Sequence, residues 1–300
     1  PLFSVIAMLR ARAWVRPLDL DVLHVNGGPG GVLLLRGMGV PVVYSLFHTY
    51  EQVVRHMPGH GWKAPAIRLE RAAYGRADRL IASTPSTEAS LRRIGLAGPV
   101  DVIPCGVSFD AFPRGEMQRD GGLVLFVGRL DARKDPGLLV QAFARVVARR
   151  PAARLVIVGV GPLEARLRAL VTSLGLDAAV RFERFVGHDE LVRWYQRATV
   201  VAVPSAFEGF GLSAVEAQSC GACVVATGSD GLRDVIQDGQ TGLIAAREPG
   251  ALSDSLLLAL EDPALRARLG SAAAHHVREA YRWDRIVDQY AATYAAVARA

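Results

Sequence analysis

The chain has 300 residues, of which 51% are hydrophobic and 7% aromatic, with 30 glycines and a formal net charge of +6. That is room for one large or two medium domains around an aliphatic α/β core. No apolar run reaches the roughly 18–20 residues that cross a bilayer, three cysteines cannot make a disulfide framework, and the arginines are scattered rather than drawn into a nucleic-acid stripe.

Residues 1–16 carry Leu2, Phe3, Ile6 and Leu9 at helical spacing, followed by Arg10, Arg12 and Arg16. A secretory leader places its charges ahead of its apolar stretch, so this pattern predicts an amphipathic helix of the fold. Apolar strands then alternate with helical stretches, the pattern of a parallel sheet with crossover helices. Strands are predicted at Asp21–Val25, Val42–Ser45, Arg79–Ala82 and Val100–Ile103, and helices at Gly30–Met38, Ala64–Gly75 and Thr84–Gly95. The polar stretch Asp110–Gly122, with Pro113, Gly115, Gly121 and Gly122, has the composition of a linker.

A second α/β unit follows. Its predicted strands are Leu123–Val127, Arg154–Val158, Val180–Phe182, Val200–Val203 and Cys223–Ala226. Its helices include Pro136–Arg149, Gly161–Leu174, Asp189–Arg197 and Leu212–Ser219. Trp283–Ala298 closes the chain with helical spacing at Ile286, Tyr290, Tyr294 and Val297. The predicted boundaries are 1–118 for a first domain, 119–282 for a second and 283–300 for the final helix.

Two segments of the second unit suggest chemistry. Pro204–Ala217 reads as strand, glycine-bearing turn and helix, with Glu208 in the turn and Glu216 about one helical turn past Gly211. A helix N-terminus offers unpaired N–H groups to an anion, and carboxylates accept from hydroxyls. The two together suit a ligand carrying sugar hydroxyls and phosphate. Gly128–Pro136 brings Arg129 and Lys134 to one loop after a strand, where open α/β sheets bind ligands. An Arg fork and a Lys point charge suit a diphosphate; the same residues also fit a solvated basic loop.

Glu208-x7-Glu216, set in Phe-Glu-Gly-Phe-Gly-Leu, resembles the retaining glycosyltransferases of family 4, which have the GT-B fold of two Rossmann-like domains with parallel sheets facing a central cleft. Gly-Arg-Leu…Lys at Gly128–Lys134 resembles the motif by which that family holds the nucleotide diphosphate, with Asp135 where Gly is more usual. The resemblance implies that Gly128, Arg129, Lys134, Val186, Glu208, Gly209, Phe210, Gly211, Leu212 and Glu216 bind the donor. Glu216 would take the ribose hydroxyls and Glu208 the donor sugar, while Val186 would lie where the base sits. Glu208, Arg129 and Lys134 would also be catalytic. His48, after the strand Val42–Ser45, would join them at the sugar; on its residue type alone it reads as a structural histidine, as does His24. Gly159-Val160-Gly161-Pro162 resembles a tight turn of the family beside the donor site, and Pro104-Cys105-Gly106-Val107-Ser108 departs from the family's Pro-Asn-Gly-Val-Asp.

Family members begin with a strand, a Gly-rich loop and further βα units ahead of the position of Asp21, so the resemblance implies an incomplete first domain. The implied function is transfer of a sugar from a nucleotide-diphosphate sugar of the UDP, GDP or ADP type to an acceptor hydroxyl, with lipid-linked acceptors included, in glycan or envelope synthesis. It implies no cofactor and no metal: Asp19-Leu20-Asp21 precedes a strand in the wrong setting for a metal motif, and Cys220-Gly221-Ala222-Cys223 reads as small packing residues. The implied location is cytoplasmic, with peripheral contact at the inner face of a membrane as an extension. A non-catalytic nucleotide-sugar-binding protein and a non-hydrolysing nucleotide-sugar 2-epimerase are the competing readings.

Overall fold

The computed structural model describes residue 13 and residues 17–27, 39–57, 59–115 and 121–298. The helices expected in residues 1–16 and at Gly30–Met38 lie outside the described residues. The chain divides into two compact units, one of residues 1–105 and 283–300 and the other of residues 106–282.

The first unit is a four-stranded parallel sheet of β1 (Leu23–Asn26), β2 (Val42–Leu46), β3 (Arg79–Ala82) and β4 (Val100–Val102), in that spatial order. Side chains alternate across a strand, and the two faces are covered differently. Tyr44, Leu46, Leu80 and Ala82 pack with Ala73 and Tyr74 of α2 (Ala64–Tyr74) and Leu91 of α3 (Pro85–Arg93). Val43 and Ile81, on the opposite face, meet Ile286 and Val297 of the chain-terminal helix (Trp283–Ala298). His24 is fixed on this face, its Nδ1 2.7 Å from the Tyr294 hydroxyl and its Nε2 2.7 Å from Ser45 Oγ.

A further helix, α1 (Tyr50–His56), is not among those expected from the sequence pattern. Its start has a capping box: Thr49 Oγ1 accepts from Gln52 N–H at 3.1 Å, and Gln52 Oε1 accepts from Thr49 N–H at 3.0 Å. The helix expected at Thr84–Gly95 is shorter at both ends, because Thr84 is its cap, accepting from the Thr87 N–H, and it closes after Arg93.

The second unit is a six-stranded parallel sheet of β5 (Leu123–Val127), β6 (Arg154–Val158), β7 (Val180–Glu183), β8 (Val200–Val203), β9 (Val224–Thr227) and β10 (Leu243–Ala245), in the order β10-β9-β8-β5-β6-β7. These strands are almost wholly apolar, as strands covered on both faces must be. Their core is completed by Leu139, Phe143 and Val146 of α4 (Pro136–Arg149), Leu167 and Val171 of α5 (Glu164–Ser173), and Leu252 and Leu256 of a helix at Pro249–Glu261. The helix expected from Gly161 begins at Glu164, because Gly161-Pro162 belongs to the preceding turn. Strand order reverses between β5 and β8, which places a topological switch point at the C-terminal ends of those two strands.

The stretch read as a linker is anchored where it is described. Ala111 O lies 2.8 Å from His188 Nε2, Phe112 O accepts from Ser219 Oγ at 2.7 Å, and Pro113 O accepts from Gln196 Nε2 at 2.9 Å. Polar composition marks exposure, and these carbonyls are satisfied by side chains of α6 (His188–Arg197) and α7 (Leu212–Ser219). Residues 116–120 lie outside the described residues. Val107 N–H donates to Tyr281 O at 2.8 Å, so the chain enters and leaves this unit along one short parallel bridge.

Candidate donor site at the sheet switch point

The loop after β5 is shaped by backbone contact with the loop after β6. Gly128 N–H donates to Val158 O and Leu130 N–H to Val160 O, each at 3.0 Å, and Leu163 N–H returns to Leu130 O at 3.0 Å. A Cβ on Gly159 would stand 1.9 Å from Gly128 O, and one on Gly161 would stand 2.4 Å from Leu130 O. The Gly-x-Gly-Pro segment is therefore a contact surface for the cationic loop, which is a packing reason for its glycines. Asp131 Oδ1 then accepts from the N–H groups of Arg133 and Lys134, both at 3.1 Å, and folds the loop so that Lys134 turns inward.

Arg133 O accepts from Ala206 N–H at 2.8 Å, which ties this loop to the one after β8. The Lys134 ammonium donates to Glu208 Oε1, and Ser205 Oγ donates to the same oxygen at 2.8 Å. Both charges are largely withdrawn from water, with 14% of the Lys134 side chain and 5% of the Glu208 side chain exposed. The Glu208 loop is held from behind by α8 (Asp230–Val235): Gly231 N–H donates to Glu208 O at 3.2 Å, and a Cβ on Gly231 would lie 2.8 Å from that oxygen. Phe210 is buried edge-on against Tyr281, with ring centroids 5.2 Å apart. Gly211 caps α7 at φ +99°, where a side chain would also meet Leu232 at 2.9 Å.

Glu216 lies in the second turn of α7 and accepts from the Tyr195 hydroxyl at 2.9 Å through Oε2. Burial pushes its carboxyl above the ordinary value; the Tyr195 bond and the charges of Lys134 and His188 oppose that shift. Lys134 is thus the centre of the cluster, paired with Glu208 and acting electrostatically on Glu216.

Of the expected residues, Lys134, Glu208, Gly209, Phe210, Gly211, Leu212 and Glu216 gather at the switch point. Arg129 is on the same loop, its side chain 71% exposed and 3.2 Å from Asp131. Val186 is half-buried on the loop between β7 and α6, beside an 81% exposed Phe185. His48 belongs to the first unit, exposed just past the C-terminal end of β2 and next to the buried Thr49. Asp131, Tyr195, Ser205 and Gly231 also shape the site and are not among the residues expected from the sequence. Asp131 and Ser205 stood inside the motifs; Tyr195 and Gly231 carried no local signal, because their partners are 21 to 23 residues away in sequence. Cys220 and Cys223 are buried in the packing around α7 and β9. Among the described residues, no group of three or more His, Cys, Asp or Glu side chains is placed to hold a metal ion, and no helix is long and apolar enough to cross a membrane.

A cation and two carboxylates thus gather at a switch point, the position where open α/β sheets bind ligands. Comparison with known proteins narrows the class. The family described as Glycosyl transferases group 1 matches residues 110–276, and Glycosyltransferase Family 4 matches residues 1–111. The D-inositol 3-phosphate glycosyltransferase of Frankia alni is 36% identical over 294 residues, spanning 89% of this chain and 72% of that protein. Its counterpart in Actinosynnema mirum is 36% identical over 315 residues, spanning 96% and 75%. Among solved structures, sucrose-phosphate synthase from Thermosynechococcus elongatus superposes with a TM-score of 0.85 at 27% identity, covering 96% of this chain and 76% of that one. Anabaena HepE, solved with UDP and glucose, superposes at 0.82 with 21% identity, covering 98% and 84%, a likeness of fold. The chain belongs to the family 4, group 1 glycosyltransferases and has the two parallel-sheet units of the GT-B fold. Its function is that of a nucleotide-sugar glycosyltransferase, and neither the epimerase nor the non-catalytic reading is favoured.

Proposed function

We propose that the site at the β5–β8 switch point binds the diphosphate and ribose of a nucleotide sugar, and that the enzyme transfers the sugar with retention and without a required metal. The observation that carries this reading is the pairing of Lys134 with Glu208 from two loops 74 residues apart, with Glu216 of α7 within electrostatic reach of the same ammonium. An ammonium has three N–H donors, so Lys134 can keep Glu208 and still meet a phosphate oxygen. Arg129, exposed on the same loop, adds a second cation. The N–H groups that open α7, from Leu212 onward, add dipole stabilisation for the phosphate. Glu216 accepts from the ribose hydroxyls, Glu208 with Gly209 and Phe210 borders the sugar, and Val186 lies on the side of the base.

In the reaction the bond from the anomeric carbon to the diphosphate oxygen breaks. The acceptor hydroxyl forms its bond on the same face, and its proton passes to the leaving phosphate. Lys134 and Arg129 stabilise the charge that collects on that phosphate. The relatives named D-inositol 3-phosphate glycosyltransferase support a small phosphorylated polyol as acceptor, and the net charge of +6 suits it. UDP in the structural neighbours supports a UDP-type donor, with GDP and ADP types as the alternatives and lipid-linked acceptors at a membrane surface as a wider class.

Calorimetric titration of the full chain with UDP, GDP and ADP, with and without a chelator, tests the reading. One nucleotide series should bind at micromolar concentration irrespective of chelator, and Lys134→Ala and Glu216→Ala should each weaken it at least tenfold. Undiminished affinity in both variants would remove the assignment. Product NMR with that nucleotide's glucose conjugate and inositol phosphate reads the anomeric configuration and the acceptor.

A further inference from the structure

We propose that Tyr195 is a positioning residue for the donor: its hydroxyl holds the Glu216 carboxylate in the orientation and charge state that reads the ribose hydroxyls. The inference rests on the assignment of Glu216 to the ribose. Tyr195 is fully buried on α6, and its hydroxyl reaches across to α7 to donate to Glu216 Oε2 at 2.9 Å. A buried tyrosine hydroxyl needs a partner, and this one has taken a carboxylate that is only partly buried. The bond occupies one oxygen and leaves Oε1 to accept from the hydroxyls of a bound nucleotide. It also works against burial, which by itself favours protonated Glu216. An ionised carboxylate makes charge-assisted bonds to hydroxyls about twice as strong as neutral ones.

The surroundings of Tyr195 are built to hold it still. Phe112 packs edge-on against its ring at 6.2 Å and against His188 at 5.1 Å. Phe112 is itself held through Ser219 Oγ to its carbonyl at 2.7 Å. A tyrosine serving only as core filler would leave ribose recognition indifferent to its hydroxyl.

Tyr195→Phe removes one oxygen and keeps the ring, so the fold is retained; melting temperature checks this directly. The measurement is calorimetric affinity for the nucleoside diphosphate that binds the wild type, for its 2′,3′-dideoxy analogue, and for inorganic pyrophosphate. In the wild type the ribose hydroxyls should favour the first over the second by about tenfold or more, since bonds to a charged group contribute on the order of 1.5–3 kcal/mol. Tyr195→Phe should weaken the nucleotide three- to tenfold and leave the dideoxy analogue and pyrophosphate within twofold. In the Glu216→Ala background Tyr195→Phe should change nothing further, because the two act as one unit. Equal loss for all three ligands, or an undiminished Tyr195→Phe effect in the Glu216→Ala background, would overturn the inference while leaving Glu216 in place. If Glu216→Ala itself leaves the hydroxyl preference intact, the ribose assignment falls and the inference with it.

Discussion

Removing the ammonium of Lys134 should destabilise the protein more than removing the charge it faces. Glu208 keeps only 5% of its side chain in water, and its Oε1 is bonded by Lys134 and Ser205. In Lys134→Met the carboxylate stays buried with a neutral hydroxyl as its remaining support on that oxygen. Breaking a buried pair this way costs about 3–5 kcal/mol, or about 6–20 °C in melting temperature for a domain of this size. Glu208→Gln leaves a cation on a flexible stem that can move its head toward water, and the nearby negative charge of Glu216 still favours it. That variant should lose about 1.5–3 kcal/mol, the worth of a hydrogen bond to a charged group. The double variant replaces the ion pair with neutral groups of similar volume, so its loss should fall well below the sum, with a coupling of about 2 kcal/mol. Urea denaturation of the full chain, followed by fluorescence, measures all four proteins. Lys134→Met within 1 kcal/mol of wild type, or strictly additive losses, would show that the pair is solvated and that the site is not the closed electrostatic unit described above.

Two further outcomes follow from the packing. Glu70 is buried, accepts from Tyr50 N–H at 2.7 Å and Tyr74 Oη–H at 3.0 Å, and is pushed up to about 7 by burial. Because the folded pKa lies above the unfolded one, its contribution is fully present below pH 4.5 and is lost as pH rises through about 7, roughly 3 kcal/mol in all. Glu70→Gln, which can accept from Tyr50 and donate to Tyr74, should flatten that part of the stability–pH curve and be the more stable protein at pH 8; an unchanged curve would refute it. Gly161→Ala should cost about 2–4 kcal/mol, because its Cβ would meet Leu130 backbone atoms at 2.4–2.7 Å. Gly121→Ala, with open space around it, should stay within about 0.5 kcal/mol; equal melting temperatures for the two would refute the loop-contact account.

The parts of the fold visible in the sequence were those set by local pattern. The strands Leu123–Val127, Arg154–Val158 and Val200–Val203 and the helices Pro136–Arg149 and Leu212–Ser219 have in the structure the bounds that apolar runs, Pro at a helix start and Gly211 imply. Boundaries failed where a side chain, not a pattern, decides them. Thr49 and Gln52 start α1 through a reciprocal cap in a stretch too short for helical periodicity to show. The stretch Asp110–Gly122 has the composition of a linker, and nothing local announces His188, Ser219 and Gln196 as partners of the Ala111, Phe112 and Pro113 carbonyls. The site follows the same division. Its charged residues stood in two motifs, and parallel-sheet topology alone brings strand ends on either side of a switch point together. The groups that orient those charges are reached only through tertiary packing: Tyr195 crosses from one helix to the next, and Gly231 works by lacking a side chain.

Asp135 shows how a departure from the family pattern can be absorbed without moving the site. At φ +44° and ψ 51° it is the only non-glycine left-handed residue among those described, and this is the conformation for which glycine is the ordinary choice. Pro136 disfavours the right-handed helical region for the residue before it, so the turn must be made another way. Aspartate is among the few residues that tolerate the left-handed region. Here its carboxylate also caps α4, accepting from Leu138 N–H at 3.3 Å, and pairs with Arg247 at 2.6 Å. Cap and ion pair offset the backbone cost, α4 starts at Pro136 as the sequence pattern requires, and Lys134 keeps its inward course to Glu208. The substitution relocates the support for the turn from backbone freedom to side-chain bonding, so the cationic loop is retained because its geometry, rather than its glycine, is what the site needs.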